Sequence, residues 1–196
     1  FTPYTVDESD EVRCTGKQTT MEVWVEPVLT MYFIPVQDTI CDNDVTQIEM
    51  RSITNPTLPV QFAYSVYTAF PDSVNIINMQ DGRTGYLSGG KIMERIDNLS
   101  NQAQRLTYTV VPYTVTQSGA VRCTGSAYDI DIWVEPTPTV YLVTEDNIIC
   151  DSTIINTEIR STTQATLPLR FDYTVTAEFP DSVNIFNTQP GTIGYL

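Results

Sequence analysis

The chain has 196 residues, 41% hydrophobic and 17% charged, a balance that excludes wholesale disorder and allows one large domain or two small ones. Its formal net charge is −14 and its ten Lys and Arg do not cluster, which speaks against nucleic acid as a partner. Histidine is absent, removing the commonest general base and metal ligand, and no apolar run approaches the ~20 residues of a bilayer span.

In chain order, Thr, Val, Tyr and Ile recur in short alternating runs broken by Pro, Asn, Asp and Gly, the vocabulary of strands and turns. Residues 1–27 hold extended runs that close on Trp24-Val25-Glu26-Pro27. Strands are then predicted over 30–34, 46–53, 59–68, 74–80, 91–97, 105–115 and 129–136. In the third of these, Val60, Phe62, Tyr64 and Val66 share one face and Gln61, Ala63 and Ser65 the other, so one face is buried and one wet. Phe70-Pro71 closes that strand, because proline lacks an amide donor, and Asp72-Ser73 makes a side-chain-capped turn into the next. Beyond residue 137 the pattern restarts, with Leu169, Phe171, Tyr173 and Val175 inward and Arg170, Asp172 and Thr174 outward.

The restart is a repeat. Val12-Arg13-Cys14-Thr15-Gly16 returns as Val121-Arg122-Cys123-Thr124-Gly125, and Trp24-Val25-Glu26-Pro27 as Trp133-Val134-Glu135-Pro136. Cys41 returns as Cys150, Pro59 as Pro168, and the heptapeptide FPDSVNI of 70–76 as 179–185, always at an offset of 109 without insertion or deletion. Such a period marks tandem duplication. Residues 28–136 are expected to be one complete seven-stranded unit, long enough to bury its own core. Residues 1–27 read as the last two strands of a preceding unit, and 137–196 as the first four of a following one. Only 88–109 occurs once, so the chain reads as a window on a longer polymer; a subunit that lends strands to its neighbour is the alternative. Seven short strands in about 109 residues match an immunoglobulin-like β-sandwich, with an all-β barrel as the alternative.

The segments Tyr-Thr-Val (113–115), Val-Arg-Cys-Thr-Gly (121–125), Trp-Val-Glu-Pro-Thr-Pro (133–138) and Ile-Ile-Cys-Asp (148–151) resemble the PKD-like, Ig-like tandem repeats of large Bacteroidota surface proteins. The glycine that this family places after the Cys-Asp pair is replaced by Asn43 and Ser152. The resemblance implies export to the cell surface, a fibrous stalk or adhesin, and no catalysis by the repeat.

Candidate sites are few. Cys14, Cys41, Cys123 and Cys150 form one recurring pair per unit, and in an exported β-protein they are expected to be oxidised. Their connectivity is open: Cys41 and Cys123 belong to opposite ends of an ideal sandwich, so a bridge to a neighbouring unit or a distorted first strand is required. No Cys-x-x-Cys spacing suggests zinc. The acidic runs Asp7–Glu11 and Asp42–Asp44 have calcium-like composition, but the counterpart of the first, 116–120, has no carboxylate, so solvated loops are expected and no metal. Trp24 and Trp133 fall with acids on the wet face, either covered by their own unit or forming a contact face for sugar or a neighbouring subunit. From the resemblance, Asp-(Ser/Thr)-aliphatic or small motifs imply O-glycosylation at Ser73 and Ser182, and also at Thr39 and Ser152; Asn98-Leu99-Ser100 is an N-glycosylation sequon. The expected function is a structural repeat of an extracellular fibre, stalk or adhesin, without enzymatic activity or cofactor, whose partners are neighbouring repeats. A carbohydrate- or protein-binding Ig-like module is the alternative.

Overall fold

The computed structural model describes residues 1–34, 37–77, 84–87, 89–183 and 193–195. The elements before the centre of the chain are β1 (Tyr4–Val6), β2 (Val12–Thr15), β3 (Met31–Ile34), β4 (Thr39–Cys41), β5 (Ile48–Ser52), β6 (Val60–Tyr67), β7 (Val74–Ile77) and β8 (Thr84–Leu87). They continue as β9 (Lys91–Ile92), β10 (Arg95–Asn98), β11 (Gln104–Val115), β12 (Val121–Thr124), β13 (Tyr128–Glu135), β14 (Tyr141–Thr144), β15 (Thr157–Arg160), β16 (Asp172–Thr174) and β17 (Ile193–Tyr195). The protein is all-β. Among the described residues the only helical elements are single 3₁₀ turns, Pro71–Ser73 and Pro180–Ser182, both inside the repeated FPDSVNI.

Between residues 31 and 135 the strands form a six-stranded sheet in the order β4-β13-β11-β6-β8, with β12 also on β11, and a smaller set in which β3-β5-β9 and β10-β7 pair. One buried cluster joins them: Met31, Ile48, Met50, Val74, Ile92 and Ile96 from the smaller sheets meet Ile40, Phe62, Val66, Leu106, Tyr108, Val110, Ile132 and Val134 from the larger. That arrangement is consistent with a β-sandwich. The alternation of each strand explains it, since every second side chain crosses to the same face. Burying one such aliphatic side chain is worth about 1.5–3 kcal/mol, and Ile48, Ile96, Leu106, Val110 and Val134 are fully buried.

All seven strands expected in the central segment are present: β3, β5 and β6 are shorter by one to three residues, β11 is longer by one, β13 is shifted by one, and residues 78–80 of the fourth lie outside the described residues. The inward set of β6 is as expected, with Phe62 and Val66 buried and Tyr64 half-buried. Within this segment three further strands were not expected, β4, β8 and β12; outside it β2 and β17, the counterparts of β12 and β8, were not expected either. The fifth strand, 91–97, divides into β9 and β10, yet Ile92, Glu94 and Ile96 all stay buried. The fourth expected strand of 137–196 also falls outside the described residues.

Pairing registers recur at the period read from the sequence. Tyr32 faces Arg51 in β3–β5, and Tyr141 faces Arg160 in β14–β15. Tyr64 faces Gly85 in β6–β8, and Tyr173 faces Gly194 in β16–β17. Tyr113 faces Thr124 in β11–β12, and Tyr4 faces Thr15 in β1–β2. Backbone specials recur too. Asn43 and Ser152 both have positive φ (65° and 60°), as do Asp10 and Gly119 (63° and 81°). Positions 43 and 152 are therefore left-handed, a conformation that glycine adopts freely and that costs Asn43 and Ser152 some strain.

Burial does not recur. Ile132 and Val134 are 1% and 0% exposed, whereas their counterparts Val23 and Val25 are 70% and 89% exposed. In the central segment these side chains are covered by β11, β4 and the smaller sheets; around residues 16–28 the structure places no strand of either kind.

Candidate functional site

The best-built polar constellation lies where the central segment meets residues 137–166. The strand β13 delivers Glu135 there, because the alternation that buries Ile132 and Val134 brings the chain to the sheet end just before Pro136 stops it. Glu135 is itself buried (5% exposed). Its carboxylate accepts the Thr166 amide at 3.0 Å from each oxygen, and the Thr166 hydroxyl as well. Among the described residues no cation takes part.

The same clamp stands at the preceding boundary. Glu26 accepts the Thr57 amide at 2.9 Å and the Thr57 hydroxyl, and both members lie 109 residues before their counterparts. A second recurring bond accompanies it: the Thr30 amide donates to the Thr54 hydroxyl (3.2 Å), and the Thr139 amide to the Thr163 hydroxyl (2.8 Å). The recurring Trp-Val-Glu-Pro motif thus has a physical account. In the second copy valine fills the core, glutamate clamps the next segment and proline ends the strand, whereas the first copy keeps the glutamate's bonds alone, with Val25 exposed and no strand before Pro27.

The later boundary carries more. Residues 101–103 and Gln164 form a parallel bridge, with the Gln164 amide donating to the Asn101 carbonyl (2.7 Å) and the Ala103 amide to the Gln164 carbonyl (2.9 Å). Asn101 Nδ2 donates to the Thr162 carbonyl at 3.0 Å. On the other side of β13, the Thr137 hydroxyl donates to Asp42 Oδ2 at 2.7 Å, while Asp42 Oδ1 accepts the Asn98 amide at 2.7 Å. Asn98 holds this corner together: its buried Nδ2 donates to the Gln102 and Val134 carbonyls at 2.8 and 2.9 Å, and its Oδ1 accepts both the amide and the hydroxyl of Ser100.

The remaining sequence-derived candidates fall as follows. Asn98 Nδ2 is engaged in the folded chain, so attachment of a glycan there would have to precede folding. Ser73 is half-buried in its 3₁₀ turn, Thr39 is half-buried in β4, and Ser182 and Ser152 are exposed. Trp133 is 36% exposed, across from Arg105 on β11 and Thr39 on β4; Trp24 is 79% exposed. The four cysteines are unpaired, with Cys14, Cys41 and Cys150 exposed and Cys123 half-buried. Cys41 sits level with Glu135, whereas Cys123 sits near Thr114, about 11 residues further along β11. At ~3.3 Å per residue that is roughly 35 Å, far beyond the 4.4–6.8 Å Cα separation of a disulfide. The acidic loops act as hydrogen-bond acceptors. Asp7 accepts the Ser9 hydroxyl and the Ser9 and Glu11 amides and pairs with Arg13, contacts that hold its carboxyl below the usual range. Thr116 accepts the Ala120 amide at the corresponding turn. Among the described residues no group of His, Cys, Asp or Glu is arranged to hold a metal ion.

One buried group escaped the sequence reading. Glu94 (5% exposed) accepts the Tyr64 hydroxyl at 2.5 Å and the Tyr108 hydroxyl at 3.0 Å, and its amide donates to the Thr46 hydroxyl. Burial pushes its carboxyl above the usual 4.5, against the pull of the two tyrosines. Its place between Ile92 and Ile96 in an alternating run was the available signal. Comparison with family models, with curated proteins and with solved structures finds no match.

Proposed function

We propose that the chain is a stretch of a tandem array of immunoglobulin-like β-sandwich units, 109 residues apart, that builds an extracellular fibre, stalk or adhesin related to the PKD-like repeats of Bacteroidota surface proteins. The observation that carries this reading is the glutamate clamp, made by Glu26 with Thr57 and again by Glu135 with Thr166. A contact that returns at successive boundaries is what an array needs if its units are to hold a fixed angle. In the strand order of the larger sheet, an edge strand (β4) runs parallel to the last strand (β13), as a short edge strand does beside the final strand of many immunoglobulin-like domains. With strands along the fibre axis, each unit would add roughly 35–45 Å. Its work is mechanical: units set length, and joints set angle.

The test is a pair of spin labels, one on the outer face of β11 and one on residues 157–160, read as a distance distribution. Replacing Glu135 by Ala together with Thr166 by Ala is expected to broaden a narrow distribution. An unchanged, narrow distribution would remove the clamp from the reading.

A second reading has its own observation. Trp133 lies partly exposed on the outer face of β13, next to Asp131 and within reach of Arg105, the composition of a sugar- or protein-contacting patch. Glycan-array binding that disappears in Trp133→Ala would favour a binding module. In either reading, O-linked sugars are proposed on Ser73, Ser182, Thr39 and Ser152. Strand lending between copies is proposed only as the alternative route to covering Val23 and Val25.

A further inference from the structure

Cys41 and Cys123 recur at the repeat period, yet they stand at opposite ends of the central segment, too far apart to meet. Each faces a boundary. Cys41 is level with the clamp residue Glu135, and its neighbour Asp42 holds the Thr137 hydroxyl of the outgoing linker. Cys123 lies two residues before Gly125, where a Cβ would come within 2.4 Å of the Leu29 carbonyl oxygen, so this stretch is pressed against the incoming linker. The residue that corresponds to Leu29 after the next boundary is Pro138, directly following Thr137. Continuity of the repeat therefore carries a contact path across one joint: Cys41, Asp42, Thr137, Pro138, then the glycine and cysteine of the next Val-Arg-Cys-Thr-Gly.

Resting on the tandem reading above, we propose that the cysteines pair across joints, the Ile-Cys-Asp cysteine of one unit with the Val-Arg-Cys-Thr-Gly cysteine of the unit that follows. Each unit then carries one bond to its predecessor, through Cys123, and one to its successor, through Cys41. Within the 196 residues no two cysteines share a boundary: Cys41 faces the joint at 136–137 alone, and Cys123 the joint at 27–28 alone. Four free thiols are what this pairing requires here. The chemistry is a two-electron oxidation. One S–S bond forms, two thiols give up two protons and two electrons, and a disulfide oxidant such as oxidised glutathione is reduced to two thiols. Both partners are accessible to it, since Cys41 is exposed and Cys123 half-buried.

The experiment uses the full chain lengthened by a copy of residues 88–196 after Leu196, which completes the unit beyond the joint and places the counterpart of Cys123 at position 232. The protein is folded in a glutathione redox buffer and mapped by mass spectrometry of non-reduced peptides. The expected product is a bridged peptide joining Cys41 to the cysteine at 232, absent from Cys41→Ser while its circular dichroism stays that of the parent. A Cys41–Cys123 bridge within one unit, bridges only between molecules, or a complete set of free thiols would each overturn the pairing. Small-angle scattering on the same sample separates the two claims. An elongated particle with free thiols would sink the disulfide and leave the array standing, whereas a particle without serial units would sink the array itself.

Discussion

At the scale of single residues, Glu94 has the most distinctive chemistry. Its only bonded partners among the described residues are neutral: two tyrosine hydroxyls on its carboxylate, with Thr46 holding its backbone. Burial outweighs the pull of those two hydroxyls, so the folded state holds a proton on Glu94 more tightly than the unfolded chain does. Stability from this group is fully present below the ordinary pKa of 4.5 and is lost as pH rises through the raised folded value. Asp7, Glu49 and Glu158 titrate in the opposite sense, because amide or hydroxyl donors and basic neighbours lower them. The comparison that isolates Glu94 is Glu94→Gln against the parent by chemical denaturation from pH 4 to pH 8. The variant is expected to gain relative stability as pH rises, by at most about 1.4 kcal/mol per pH unit. A difference independent of pH would mean that the surroundings do not raise the carboxyl's pKa.

At the scale of elements, the sequence was informative wherever alternation was long. The strands β6, β11 and β13 are 8, 12 and 8 residues and each was expected close to its observed bounds. The short elements escaped for separate reasons. β4 is three residues between acids, and it exists because it pairs parallel with β13, a long-range partner that no local pattern announces. β12 was read only as a Cys-x-Gly signature, although Val121 and Thr124 pair with β11. β8 contains a glycine, which weakens any strand pattern. The contact between the end of β13 and residues 137–166 was least legible. Glu135 and Thr166 are 31 residues apart, and nothing in either segment alone points to the other. Gly125 shows how the signature acts on neighbouring elements: its missing Cβ makes room for the Leu29 carbonyl at 2.4 Å and the Pro112 ring at 2.9 Å, where the chain breaks between β12 and β13. Gly125→Ala is expected to cost about 1–3 kcal/mol, read as a lower thermal midpoint. An unchanged midpoint would show that the linker can move aside freely.

At the scale of the whole molecule, protection is unequal. The buried cluster runs from Met31 to Val134, while Val23, Trp24, Val25, Val140, Leu142, Ile148 and Ile154 are exposed. Local opening should follow the same division. Brief trypsin treatment is expected to cut after Arg13 and Lys17 well before Arg105, whose strand is hydrogen-bonded on both sides by β6 and β13. Simultaneous cleavage at all three would mean that the central segment is no more stable than its flanks.

The clamp between Glu135 and Thr166 has a geometric consequence. Any contact that relates one body to the next by a fixed rotation and translation generates a screw axis when it is used again and again. In an array joined throughout by this clamp, the small turn made at each boundary would accumulate into a superhelix of definite hand and pitch. Changing the bond at one joint would then do more than loosen it: everything beyond that joint would point in a new direction.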